Sequence, residues 1–137
     1  MSDAAEKLMD GILEAWNNKD LDKLREYHLE SWIDHTSPPG MNDLAALEGI
    51  FAMFTTAFPD LELEIPKAVV DGNEVAYLYS ISGTHKGDFM GIPASNKEVN
   101  IKGMTILNME EGKCAQAWGV LDMLTLMQQV GAIPVPG

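Results

Sequence analysis

Basic residues and cysteine are what this chain has least of. Nine lysines and arginines stand against 21 aspartates and glutamates in 137 residues, a formal net charge of −12. A field of that sign repels phosphate backbones and anionic lipid heads, so neither nucleic acid nor a membrane surface is expected as a partner. The one cysteine, Cys114, can form no intramolecular disulfide and has no second thiol with which to start a thiolate metal site. A reducing, cytoplasmic setting is the expectation. The first residues, Met1-Ser2-Asp3-Ala4-Ala5-Glu6-Lys7, lack the basic start and apolar run of a signal peptide, and no apolar stretch approaches membrane-spanning length. Histidine is also scarce, and His28, His35 and His85 are not spaced as ligands on one element, so no metal is expected.

What is present is ordinary for a globule, with 46% hydrophobic and 22% charged residues. A chain of this size buries roughly 68% of its unfolded surface, enough for a core and a cavity, and a single domain over residues 1–137 is expected. No repeat, linker or low-complexity segment interrupts it.

Periodicity divides the chain into a helical first half and a strand-rich second half. Ala5, Leu8, Met9, Ile12, Leu13 and Trp16 form one face of an amphipathic helix capped by Ser2 or Asp3. Asp20 can cap a short helix with Leu21, Leu24 and Tyr27. The chain then passes Trp32, Ile33 and His35 to the breaker Ser37-Pro38-Pro39-Gly40. A third helix follows, with Asn42 as candidate cap and Pro59 as its stop. From Leu61 the period becomes two, and Asp71-Gly72-Asn73 marks a tight turn. Tyr77, Tyr79 and Ile81 share one face of the next strand, and by parity His85 continues it. Val99 to Met109 and Cys114 to Leu121 form a hairpin about Glu110-Glu111-Gly112-Lys113, and Leu121 to Val130 reads as a closing helix. Gly103 and Gly119 are expected at bulges or bends. Helices followed by antiparallel strands give an α+β domain with the sheet curled around the helices.

Asp122, at the end of an apolar strand, is the residue with the most chemical promise. Burial would raise the pKa of its carboxyl and fit it for proton transfer to and from carbon, whereas service as a helix N-cap would lower that pKa. Both readings are open at this point. Trp16, Trp32 and Trp118 are of a type found more often in cores than at ligands, His28 reads as a helix-end residue, and Cys114 as a small buried hydrophobe.

Several short motifs carry a resemblance. They are Gly83-Thr84-His85 with Gly87, Phe89, Gly91 and Pro93, then Trp118 with Asp122 four residues on, then Gln129-Val130-Gly131, joined by His35 and Phe58-Pro59-Asp60. Together they resemble the SnoaL-like polyketide cyclases of the nuclear transport factor 2-like superfamily, which also holds ketosteroid isomerase. The resemblance spans nearly the whole chain. It departs at Ala94-Ser95-Asn96, where the family follows its proline with a small residue and a glycine, a change expected to alter the loop over the pocket mouth.

The resemblance implies a cone-shaped α+β fold in which N-terminal helices pack on a curved antiparallel sheet and enclose a pocket. It implies a cofactor-independent cyclase in which Asp122 is the general acid and base of an intramolecular aldol condensation. His85 or His35 would protonate the resulting alkoxide, and Trp118, Trp32 and Phe54 would wall a flat, apolar substrate. A homodimer through the sheets is common among similar proteins and fits the apolar Ala76 and Leu78 opposite the tyrosines. The same cavity could instead serve a non-catalytic ligand-binding or assembly domain, an isomerase or an epoxide hydrolase, because a shared fold does not settle function.

Overall fold

The computed structural model describes residues 2–136. Four helices and five strands follow in the order α1 (Asp3–Asn17), α2 (Leu21–Glu26), β1 (His28–Asp34), α3 (Leu44–Ala57), β2 (Glu62–Asp71), β3 (Glu74–Thr84), β4 (Glu98–Glu110), β5 (Lys113–Leu121) and α4 (Met123–Gln129). The strands form one open, curved sheet in the order β1-β5-β4-β3-β2. This is the expected cone-shaped α+β architecture with one correction: the sheet is mixed, because β1 pairs parallel to β5 while every other neighbour is antiparallel.

Local chemistry explains most boundaries. Ser2 caps α1 through its hydroxyl, and Asp43, rather than the expected Asn42, caps α3 by accepting the Ala46 amide at 2.9 Å. An aspartate at this position also places negative charge at the positive end of the helix dipole. The turn between β4 and β5 puts both Glu111 and Gly112 at positive φ, the conformation whose twist matches the flanking strands. Along β2 the register slips between Glu64 and Lys67, where Pro66 has no N–H to give to β3.

The core lies between the helices and the concave sheet face. Ala5, Leu8, Met9 and Ile12 of α1 are buried, as their spacing predicts, and they meet Phe54, Phe58, Leu61, Ile81 and Ile101. Asn17 fastens α1 to β2 by exchanging two hydrogen bonds with the Leu63 backbone, at 3.0 and 2.6 Å. The register runs unbroken through Gly103, so it marks no bulge. It lies opposite Tyr79 on β3, and the phenol ring occupies the space where a side chain would stand, 2.3 Å from an added Cβ.

The motif Gly87-Asp88-Phe89-Met90-Gly91 is a loop folded back on the core. Phe89 is fully buried against Phe54 and Phe58, and it exchanges backbone hydrogen bonds with Ile92. Gly87 brings its amide to the Ala57 carbonyl, and an added Cβ would lie 2.7 Å from the Thr56 oxygen. Contrary to expectation, the loop residues 86–97 do not line the mouth of the central cavity.

Candidate functional site

A cavity of about 170 Å³ opens between the helices and the concave face of the sheet. Strand alternation supplies one wall: Tyr77, Tyr79 and Ile81 of β3 point inward, next to Thr105 of β4 and Ala117 and Leu121 of β5. Ile12 and Trp16 of α1 and Leu47, Ile50 and Phe54 of α3 close the other side, with His28 and Trp32 of β1 at one end. The lining is largely apolar, so the few polar atoms on it decide what chemistry the hollow can support.

His28 is buried, and its Nδ1 lies 2.7 Å from the Leu24 carbonyl oxygen. A carbonyl can only accept, so Nδ1 carries the proton and the neutral ring keeps its lone pair on Nε2. Burial is the main cause that lowers the His28 pKa, and the Leu24 bond offsets it in part. The ring of Trp32 meets His28 edge to face, with centroids 5.6 Å apart. Trp32 is 6% exposed, and its indole N–H has no hydrogen-bond acceptor. A buried donor left unpaired costs about 1–3 kcal/mol. The Cys114 sulfur lies beside that N–H without forming a hydrogen bond in good geometry.

Burial pushes the Cys114 thiol up to about 12, so it stays protonated and is no nucleophile at neutral pH. Burial also raises Tyr77, and with the charge of Asp34 it takes Tyr79 to about 12. Both phenols are therefore neutral donors. Among the described residues no group of three or more His, Cys, Asp or Glu side chains is arranged to hold a metal ion.

The six residues expected at the site divide sharply. Trp32 and Phe54 line the cavity. Asp122 does not. It is exposed and caps α4, accepting the Thr125 amide at 3.0 Å and the Thr125 hydroxyl at 2.6 Å. Those bonds, the hydroxyl's first, hold its carboxyl below the usual range. The expectation of an acid held in an apolar pocket is thus corrected in favour of the cap, because bonds from a residue three positions on are available without desolvation.

His85 is fully buried outside the cavity, against Phe58. Its Nδ1 accepts the Ser95 amide at 3.2 Å and lies 2.9 Å from the Ser95 hydroxyl, so the ring braces the loop that leads into β4. His85 does turn inward as parity predicts, onto Phe58 of the core, and its amide extends the pairing of β3 with β4 by reaching the Lys97 carbonyl, but the cavity does not extend that far. His35 and Trp118 are stacked on each other at 4.8 Å on the convex face, and His35 Nε2 lies 2.7 Å from Gln116 Oε1. Trp118 does not wall the cavity, since it alternates with Ala117 and Leu121, which face inward. The residue that sequence reasoning passed over is His28. Its signal was the four-residue step to Trp32, which puts both on one face of a strand.

The family model for SnoaL-like polyketide cyclases matches residues 6–130. No curated protein matches significantly. Among solved structures, TsrD from Streptomyces laurentii superposes with a TM-score of 0.87 at 25% identity, over 97% of this chain and 99% of that one. AclR from Streptomyces galilaeus gives a TM-score of 0.87 at 24% identity, over 96% of this chain and 83% of its own. A SnoaL-like polyketide cyclase from Agrobacterium tumefaciens gives 0.75 at 22% identity, over 96% and 100%. With the motifs and the mixed curved sheet in agreement with that match, the chain belongs to the SnoaL-like polyketide cyclase family.

Proposed function

We propose that the protein is a cofactor-independent cyclase that holds a compact carbonyl compound in the central cavity and closes a ring by moving a proton from carbon. The observation that carries this reading is the hollow itself: about 170 Å³, mostly apolar, with uncharged hydrogen-bonding groups on its wall. A methylene next to a carbonyl gives up its proton because the enolate delocalises onto oxygen. Neutral donors near that oxygen stabilise the charge as it develops. Enclosure also holds a flexible chain folded with its reacting carbons close.

Size narrows the substrate class. An apolar cavity of about 150 Å³ takes a benzene-sized molecule, so a short chain that closes to one ring fits better than a flat four-ring compound. The resemblance assigns the proton to Asp122, but its carboxylate would first have to release Thr125. A reducing, cytoplasmic setting and a single domain fit the lone buried thiol and the shared core. A homodimer fits the convex face of the sheet, where Met104, Ile106 and Val120 are exposed beside Trp118.

Heptane-2,6-dione in deuterated buffer tests the reading. Nuclear magnetic resonance follows exchange at the carbons next to each carbonyl, and absorbance follows the cyclic enone. Catalysed exchange and ring closure without added cofactor are expected. A protein that binds the dione and accelerates neither would be a binding domain, and the cyclase reading would fall.

A further inference from the structure

The first residue of β1, the fifth residue of β1 and the β5 residue paired with the first come together at one end of the cavity: His28, Trp32 and Cys114. Two of these side chains are chemically unspent. The Trp32 indole N–H is buried without an acceptor, and the Cys114 thiol sulfur beside it is a weak one. His28 commits Nδ1–H to Leu24, and that leaves Nε2 as a bare acceptor. The His28 ring lines the cavity and keeps 8% of its surface exposed, so open space lies against it. A donor and a base therefore stand side by side on the wall of an apolar hollow, their rings edge to face at 5.6 Å. His28 also lines a surface groove with Arg25, Glu30, Glu48 and Lys113, which gives the same imidazole a route to solvent.

We propose, on the basis of the cyclase reading, that His28 and Trp32 are the catalytic pair of this cavity. Trp32 Nε1–H binds the carbonyl oxygen of the substrate, and His28 Nε2 takes the proton from the neighbouring carbon. In the first step the C–H bond breaks, an N–H bond forms on His28, and the electron pair moves onto the oxygen held by Trp32. The enolate carbon then attacks a second carbonyl of the same molecule, forming a C–C bond and an alkoxide. The imidazolium of His28 returns its proton to that alkoxide. Protons and electrons balance with no co-reactant, and the groove allows the same proton to exchange with water between turnovers. Cys114 keeps its proton throughout and serves as the placeholder acceptor that the substrate oxygen displaces.

The probe is 4-nitrophenol, whose phenolate oxygen stands in for the enolate oxygen and whose colour reports its ionisation. In the wild-type protein, below the probe's own pKa, bound probe is expected to show the phenolate band. The Trp32 indole proton, identified by its absence in Trp32→Phe, is expected to move downfield in the amide spectrum. His28→Gln should still bind the probe but leave it neutral, and should slow deuterium exchange of heptane-2,6-dione by about 10²–10⁴-fold. A bound probe that stays neutral with the Trp32 resonance unmoved overturns the pair, as does a His28→Gln protein with wild-type exchange. Ring closure by the wild type would then leave the cyclase reading standing. Conversely, an ionised probe with an untouched dione supports the pair as a site for acidic ligands and removes the cyclase reading.

Discussion

Replacing Gly103 by alanine tests the cavity directly, because it displaces one side chain of the wall, Tyr79, without adding or removing a polar group. The added Cβ would lie 2.3 Å from Cζ and Oη of Tyr79, whose ring lines the cavity. That ring has to retreat by roughly 1–2 Å to regain ordinary contact. Its two ways out are along the sheet, where Ile81 and Tyr77 stand on the same face, and into the hollow. Overpacking of this kind costs about 1–3 kcal/mol, and the better strand propensity of alanine returns about 0.5–1 kcal/mol. A net loss of about 1–2 kcal/mol corresponds to a drop of about 4–8 °C in Tm for a chain of this length. Calorimetry and 4-nitrophenol titration measure the two consequences together, with at least about a tenfold loss of affinity expected, or about 1.4 kcal/mol. Gly49→Ala on exposed α3, where an added Cβ meets nothing within 4 Å, should do the opposite and raise stability by about 0.5–1 kcal/mol. A Gly103→Ala protein with unchanged Tm and unchanged affinity would mean that Tyr79 is free to move elsewhere, and the account of the cavity wall would be wrong.

Asp122→Asn keeps a capping side chain on α4 while removing the charge, so we expect ring closure to continue near the wild-type rate. A fall of 10² or more with ligand binding intact would return the proton transfer to Asp122. The His28 pKa is lowered on folding, so the unfolded chain takes up a proton that the fold refuses. Stability should therefore be full above the unfolded value of about 6.5 and fall as pH drops through it, by at most about 1.4 kcal/mol per pH unit. Urea midpoints between about pH 7 and about pH 5 should slope in wild type and flatten in His28→Gln, and parallel slopes would contradict the tautomer and burial assigned to His28. Val120, 69% exposed on the convex face beside Met104 and Ile106, should disrupt a sheet-to-sheet dimer when changed to aspartate. Sedimentation equilibrium would show wild-type dimer and variant monomer at micromolar concentration, and two identical profiles would remove that face from the interface.

Elements whose apolar period is self-contained were legible in the sequence. The α1 stripe needs only its own spacing, and the Tyr77, Tyr79, Ile81 alternation put those three side chains on one face of β3 before any partner strand was known. β1 was not legible. His28-Leu29-Glu30-Ser31-Trp32 shows no strict alternation, and its pairing partner is β5, more than 80 residues on and parallel. Without β1 as a strand, His28 and Trp32 could not be put on one face, and the pair at the cavity end went unseen. For Asp122 the local signal and the family signal disagreed. The local one prevailed because Thr125 supplies two donors within one turn.

The order of residues alone settled the family motifs, the net charge of −12, and which side chains of each strand travel together. It could not settle which of a strand's two faces looks into the hollow. On β5, alternation binds Ala117 to Leu121 and sets Trp118 against them, but only the bend of the sheet around α1 and α3 makes the first set concave and sends Trp118 to the convex side with His35. Alternation is a property of neighbouring peptide units, whereas concavity belongs to the whole sheet and the helices laid across it.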